Sequence, residues 1–165
     1  MNRQDILNEI VNEHGLDPLD IYLLPIIPLI EVIWADGRAQ QAEVDLLLDF
    51  TRRWLELLKE DAGGDTVISA TQARKFLERF LRQRPTTILL ERLRDLGLDV
   101  LAQNSNQAQV IQRSRNILEY CIDIAAATVK TYPYGPRERV MDQEKHLLLE
   151  FMHSMQIDPS HPAHA

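Results

Sequence analysis

Leu29-Ile30-Glu31-Val32-Ile33-Trp34-Ala35-Asp36-Gly37-Arg38, and after a short polar interval Glu43-Val44-Asp45-Leu46-Leu47-Leu48-Asp49-Phe50, is the stretch around which the chain is organised. It is apolar as far as Ala35, turns at Asp36-Gly37 and re-enters a helical pattern at Glu43. A second version stands near the C-terminus. Glu144-Lys145-His146-Leu147-Leu148-Leu149-Glu150-Phe151 lines up with Glu43–Phe50, with five of eight positions identical and Asp49 replaced by another acid, Glu150. Upstream, Ile122-Asp123-Ile124 lines up with Ile30-Glu31-Val32. Glu31 and Glu43 are 12 positions apart, Asp123 and Glu144 are 21 apart, and the extra nine residues fall around Tyr132-Pro133-Tyr134-Gly135-Pro136, where a loop absorbs them. Leucine-rich core faces resemble one another for packing reasons alone, but periodicity does not demand the recurring acids. The reading is two helix–turn–helix units related by a pseudo-two-fold axis.

Outward from that stretch the chain reads as helices throughout. Residues 4–14 form a short helix that Gly15 ends, and Asp17-Pro18 caps and opens the next. Pro25 and Pro28 break or kink it near 24–28, and Pro28 opens a helix over about 28–36. From about 41 to 60, Val44, Leu47, Leu48, Trp54, Leu55 and Leu58 recur at helical spacing. Asp61-Ala62-Gly63-Gly64-Asp65 is a linker, and Ser69-x-x-Gln72 is a capping box for a helix over about 70–83, with Phe76, Phe80 and Leu81 inward. Pro85 breaks that helix; Thr86 to Leu96 forms another, closed by Gly97 in a left-handed conformation. The polar run 103–109 is either a loop or the start of a long helix to about Lys130, and a last helix spans about 141–155. No stretch alternates with period two. The expected fold is all-α: a compact bundle of about 7 helices in a single domain, residues 1–157, with a flexible tail at 158–165.

Bulk composition narrows the function classes. The net charge is −7, from 25 acids against 18 bases, which disfavours a nucleic-acid binder that neutralises phosphates. One cysteine, Cys121, lies in an apolar helical run; it permits no internal disulfide and reads as an inert buried thiol of a reducing compartment. Met1-Asn2-Arg3-Gln4-Asp5 lacks a basic start followed by an apolar core, so no secretory signal is expected in this stretch. The most apolar run, Ile21 to Ala35, is interrupted by Pro25, Pro28 and Glu31 and is too short to span a bilayer. The expectation is a cytoplasmic protein, with docking at the periphery of the inner membrane left open, and with no transmembrane segment and no nucleic acid among its partners.

Ala35-Asp36-Gly37 with Glu43 resembles the TerB family, the tellurite-resistance module also found at the N-terminus of some membrane-anchored J-domain chaperones. The family's mark is an apolar helix ending Ala-Asp-Gly, with a glutamate seven residues after the aspartate at the start of the next helix. A second unit ends the domain, where Glu144 takes the place of Glu43. The resemblance covers nearly the whole chain. It implies an all-helical fold, an acidic centre of metal-binding character and a non-enzymatic role in tellurite or related stress responses through protein partners, membrane-associated ones included. Two departures stand out: the position matching Asp36 in the second unit is Thr128 or is lost in the longer loop, and the position before the second helix of the first unit is Gln40, a poor cap.

The acids themselves allow two readings. If the units face each other, Glu31, Asp36, Glu43, Asp123 and Glu144 converge, and such hard oxygen ligands suit Ca²⁺, Mg²⁺ or Mn²⁺. The alternative is structural: Asp36 tolerates a turn, Glu43 and Glu144 favour helix N-termini, and Glu31 and Asp123 pair with Arg or Lys from the central helices. An EF-hand fails by counting, because placing Gly37 at loop position six puts Val32 and Trp34 at ligand positions one and three. A helical metal-dependent phosphohydrolase needs His-Asp pairs on adjacent helices, which the repeats lack. The basic stretch Arg74, Lys75, Arg79, Arg82, Arg84 is either a solvated face or a docking strip for an acidic partner or anionic headgroups.

Overall fold

The structure, a computed structural model, describes residues 1–35, 37, 39–103 and 106–130. These residues form six α-helices and one 3₁₀ segment: α1 (Arg3–Asn12), the 3₁₀ segment (Pro18–Ile26), α2 (Ile27–Trp34), α3 (Gln41–Asp61), α4 (Ala70–Arg82), α5 (Thr87–Ala102) and α6 (Gln107–Lys130). No strand occurs among the described residues, so the all-α expectation stands. The last expected helix, 141–155, and the tail, 158–165, lie outside the described residues.

Local chemistry sets the boundaries. Asn2 Oδ1 accepts from the Asp5 amide at 2.8 Å to start α1, and Thr86 Oγ1 accepts from Leu89 at 3.2 Å to start α5. Asn106 Oδ1 does the same for Gln109 at 3.2 Å, so the polar run after α5 divides there and Gln107 already belongs to α6. Ser69 Oγ caps Gln72 at 3.1 Å, but Gln72 does not complete the box; its amide donates instead to Asp20 Oδ1 at 3.0 Å and ties α4 to the 3₁₀ segment. Between Asp17 and Ile26 the chain winds tightly as 3₁₀ rather than α. Pro25 has no N–H to give to an α-helical ladder, and an α-helix starts only at Ile27, with Pro28 in its first turn.

Gly97 corrects an expectation. It does not close α5, which runs on to Ala102. A Cβ at Gly97 would lie 2.7 Å from the Leu24 carbonyl oxygen, so glycine is there because α5 crosses the 3₁₀ segment backbone to backbone.

α2 is the centre of the molecule. Every residue from Ile27 to Ile33 is buried, including Glu31. The 3₁₀ segment, α5, α6 and α3 surround it. α3 and α6 run antiparallel: Phe50 meets Tyr120 edge-on at 4.9 Å, and one to three turns away Arg113 pairs with Asp61 and stacks 5.8 Å from the Trp54 ring. The two tryptophans tie elements together, Trp54 Nε1 donating to the Tyr22 carbonyl of the 3₁₀ segment at 2.8 Å and Trp34 Nε1 to the Phe80 carbonyl near the end of α4 at 2.9 Å. α3 carries two apolar stripes rather than one. Leu47, Phe50 and Trp54 enter the core, whereas Leu48, expected on the same inward face, is 48% exposed.

Candidate functional site

Among the described residues, Glu31 and Glu43 are the buried members of the expected acidic set. Glu31 projects from α2 into a region closed by α5 and α6. Its Oε2 receives Arg94 Nη1 of α5 at 3.2 Å, and both side chains are 5% exposed. A carboxylate removed from water this completely needs a compensating charge, and Arg94 supplies it. The same carboxylate acts on α6: burial pushes the Cys121 thiol well above its ordinary range, and the nearby Glu31 charge pushes it further. The thiol is therefore held protonated, in keeping with an inert core cysteine.

Glu43 is fully buried in the first turn of α3. Its Oε1 accepts from the Gln40 amide at 3.1 Å, the returning half of a capping box. The poor cap at Gln40 is thus offset by an acid three residues on, which also meets the positive end of the α3 dipole. Between the two helices Gly37 takes φ +94°, a left-handed conformation, and its amide donates to the Trp34 carbonyl at 2.9 Å. The guanidinium of Arg84, beyond the end of α4, stands against this turn: its Nη1 is 3.5 Å from where a Cβ on Gly37 would sit.

Asp123 is placed differently. It is exposed on α6, because the inward stripe of that helix is Ile117, Cys121, Ile124 and Ala125 and leaves position 123 turned to solvent. The sequence match of Asp123 with Glu31 is therefore not a match in environment. Asp36 and Glu144 lie outside the described residues.

Arg94 was not singled out from the sequence, although a signal exists. It follows Leu90 by four positions and sits beside Leu93 and Leu96, so helical register alone places this arginine on the buried face of α5. The general expectation that Glu31 pairs with a base from a central helix holds.

A second ionic cluster, without a motif in the sequence, lies at the end of α1. Ligand atoms of Glu9, Glu13 and His14 lie within 4.8 Å of one another. Glu9, however, is already engaged: Arg92 Nε and Nη2 donate to its two oxygens at 2.8 and 2.6 Å, and His14 Nε2 lies 3.0 Å from Oε2. The Arg92 hydrogen bonds, chiefly, hold the Glu9 carboxyl down to about 2. A cation at this cluster has to displace a bidentate guanidinium, so the arrangement reads as a clamp between α1 and α5. Arg79 likewise has a structural task, donating to the carbonyls of Gly15 at 2.9 Å and His14 at 2.7 Å and so tying α4 to the loop after α1.

Comparison with family models, with curated proteins and with solved structures returns no match. Among the described residues no helix is long and apolar enough to cross a membrane.

Proposed function

We propose that this chain is a non-enzymatic helical module of the TerB-like type that acts through protein partners in the cytoplasm, and that its buried acids hold the fold together without a resident cation. The observation that carries this reading is the Glu31–Arg94 pair at 3.2 Å, which neutralises the most central carboxylate from within the chain. The Arg84 guanidinium beside the Gly37 turn supports it further, since a cation held there would stand close to a positive charge. Titration calorimetry and thermal unfolding of chelator-treated full chain with Ca²⁺, Mg²⁺ and Mn²⁺ test it. No heat of binding and an unchanged Tm are expected. A Tm rise that Asp36→Asn or Glu43→Gln abolishes overturns the metal-free reading.

That outcome would favour a second reading, a divalent-cation site built on Asp36, Glu43 and Glu144, with the tellurite-type stress role that the family resemblance carries. One observation speaks for it: Glu43 is a fully buried carboxylate in the first turn of α3, six residues after Gly37. The non-enzymatic part of the proposal is checked separately. Turnover of phosphate esters with Mn²⁺, abolished by Glu43→Gln, would replace it with a hydrolase.

A further inference from the structure

A groove of about 750 Å³ runs between α3 and α4. Val44, Leu48 and Leu55 from α3 form one side of its floor, and Ala73, Leu77 and Leu81 from α4 form the other. Each set follows the spacing of a single helix face. The α3 set is the second apolar stripe of that helix, on which Leu48 is exposed and Val44 and Leu55 are half-buried. On the rim stand three arginines, Arg52, Arg74 and Arg82, against one acid, Glu78. A local excess of positive charge is conspicuous on a chain whose net charge is −7. The rim arginines are weakly committed. Arg52 binds Asp49 at 2.7 Å with its side chain 74% exposed, and Arg82 reaches Glu78 only at 3.9 Å with its side chain 81% exposed. Exposed pairs of this kind contribute little and yield readily to a better-placed carboxylate.

We propose that this groove binds an acidic amphipathic helix of a partner protein, its apolar stripe on the leucine floor and its carboxylates between Arg52, Arg74 and Arg82. The proposal rests on the interaction-module reading above and names the partner's chemistry. Val44 to Leu55 covers about 16 Å of helix axis, room for three turns of a guest helix anchored at i, i+4 and i+7. Guanidinium groups favour carboxylates through paired, parallel hydrogen bonds. The concave floor fits a rod better than it fits a bilayer surface, whose headgroups would meet the rim and leave the leucines uncovered. Groove-to-groove pairing of two copies sets arginine rim against arginine rim and is repelled.

The probe is a synthetic helical peptide of about 16 residues, with leucines at i, i+4, i+7 and i+11 and glutamates flanking them, beside a twin carrying lysines in place of the glutamates. Binding to the full chain is followed by fluorescence anisotropy and by amide NMR. The glutamate peptide is expected to bind, with shifts confined to α3 and α4. Affinity is expected to fall by about tenfold or more in Leu48→Asp and in Arg52→Glu/Arg74→Glu, and to weaken as salt rises. Leu48, Arg52 and Arg74 are exposed, so these variants keep the fold, which circular dichroism verifies. Equal affinity for the lysine twin, shifts lying elsewhere, or no binding at about 1 mM peptide overturns the proposal. A groove filled by a second copy, seen as a concentration-dependent mass, or by residues 141–155 of the same chain, seen as a crosslink from Leu48→Cys, also overturns it. A cation response would remove the metal-free reading and leave the peptide result intact, so the two failures are distinguishable.

Discussion

Arg94 and Glu31 set up a test in which the sign of the outcome depends on how many members of the pair are removed. Arg94→Met keeps the bulk of the side chain and deletes its charge, so the Glu31 carboxylate stays buried without its guanidinium. At 3.2 Å, with an effective dielectric near 20, the lost attraction is about 5 kcal/mol. Breaking one side of a buried pair costs about 3–5 kcal/mol by experience with other proteins, a large part of the roughly 5–15 kcal/mol that keeps such a domain folded. For a domain of this size that lowers Tm by about 6–20 °C. Glu31→Leu strands the arginine instead and is expected to cost a similar amount. The double variant Glu31→Leu/Arg94→Met removes both charges together with both desolvation penalties and is expected to lie within about 1 kcal/mol of the parent, on either side. Urea unfolding of the four proteins at neutral pH closes the cycle, with an expected coupling of about 3 kcal/mol or more. Additive single effects, with a coupling under about 0.5 kcal/mol, would refute the pairing and with it the main support for a metal-free centre.

Three further outcomes follow from the geometry. Glu9, held down to about 2 from 4.5, contributes stability that is complete above its unfolded value and is lost as pH falls from 4.5 toward 2. The depression corresponds to at most about 3.4 kcal/mol, and to about half of that once the exposure of Arg92 is allowed for. The burial-raised Asp20 acts in the opposite sense, so the measurement is the difference between the acid-unfolding curves of parent and Arg92→Ala, which should close below pH 2; a difference independent of pH would contradict the clamp. Gly97→Ala, which in an open helix stabilises by roughly 1 kcal/mol, should here destabilise by about 1–3 kcal/mol because the new methyl meets the Leu24 carbonyl; a stabilised variant in thermal melts would show that the crossing is looser. Cys121, buried and held protonated, should react with a thiol reagent only as fast as the core opens; a rate insensitive to urea below the unfolding transition would contradict that burial.

What the sequence made legible is what local rules control. Caps at Asp17 and Ser69, the proline break before α2 and the glycine link after α3 are each decided by a few neighbouring residues, and the helices that these signals open and close fall where the signals put them. Gly97 misled because two kinds of glycine look alike in a string. One ends a helix by its left-handed conformation; the other lies inside a helix because another backbone touches it. Only the crossing with the 3₁₀ segment separates them. Leu48 misled for a related reason. Six apolar positions on α3 satisfy one helical template, yet α6 and α2 cover one stripe and α4 stands off from the other, leaving a groove where a core was expected.

The acidic repeat shows the same limit at the level of function. Glu31 and Asp123 share their apolar neighbours, and a string comparison makes them equivalent. In space α2 is enclosed on all sides and has no exposed face, so an acid there must meet a base, and Arg94 lies in register on α5 to meet it. α6 has a solvent side, so Asp123 simply turns outward. A carboxylate that has found its counter-charge within the chain and a carboxylate that faces water are both poor starting points for a shared cation site. The physical consequence is a division of labour on this chain: its buried acids are matched by its own arginines and amides, while the arginines beside α3 and α4 remain at the surface around a groove in which Leu48 is exposed. Electrostatic recognition on this molecule is therefore better sought at its positive groove than at its negative centre.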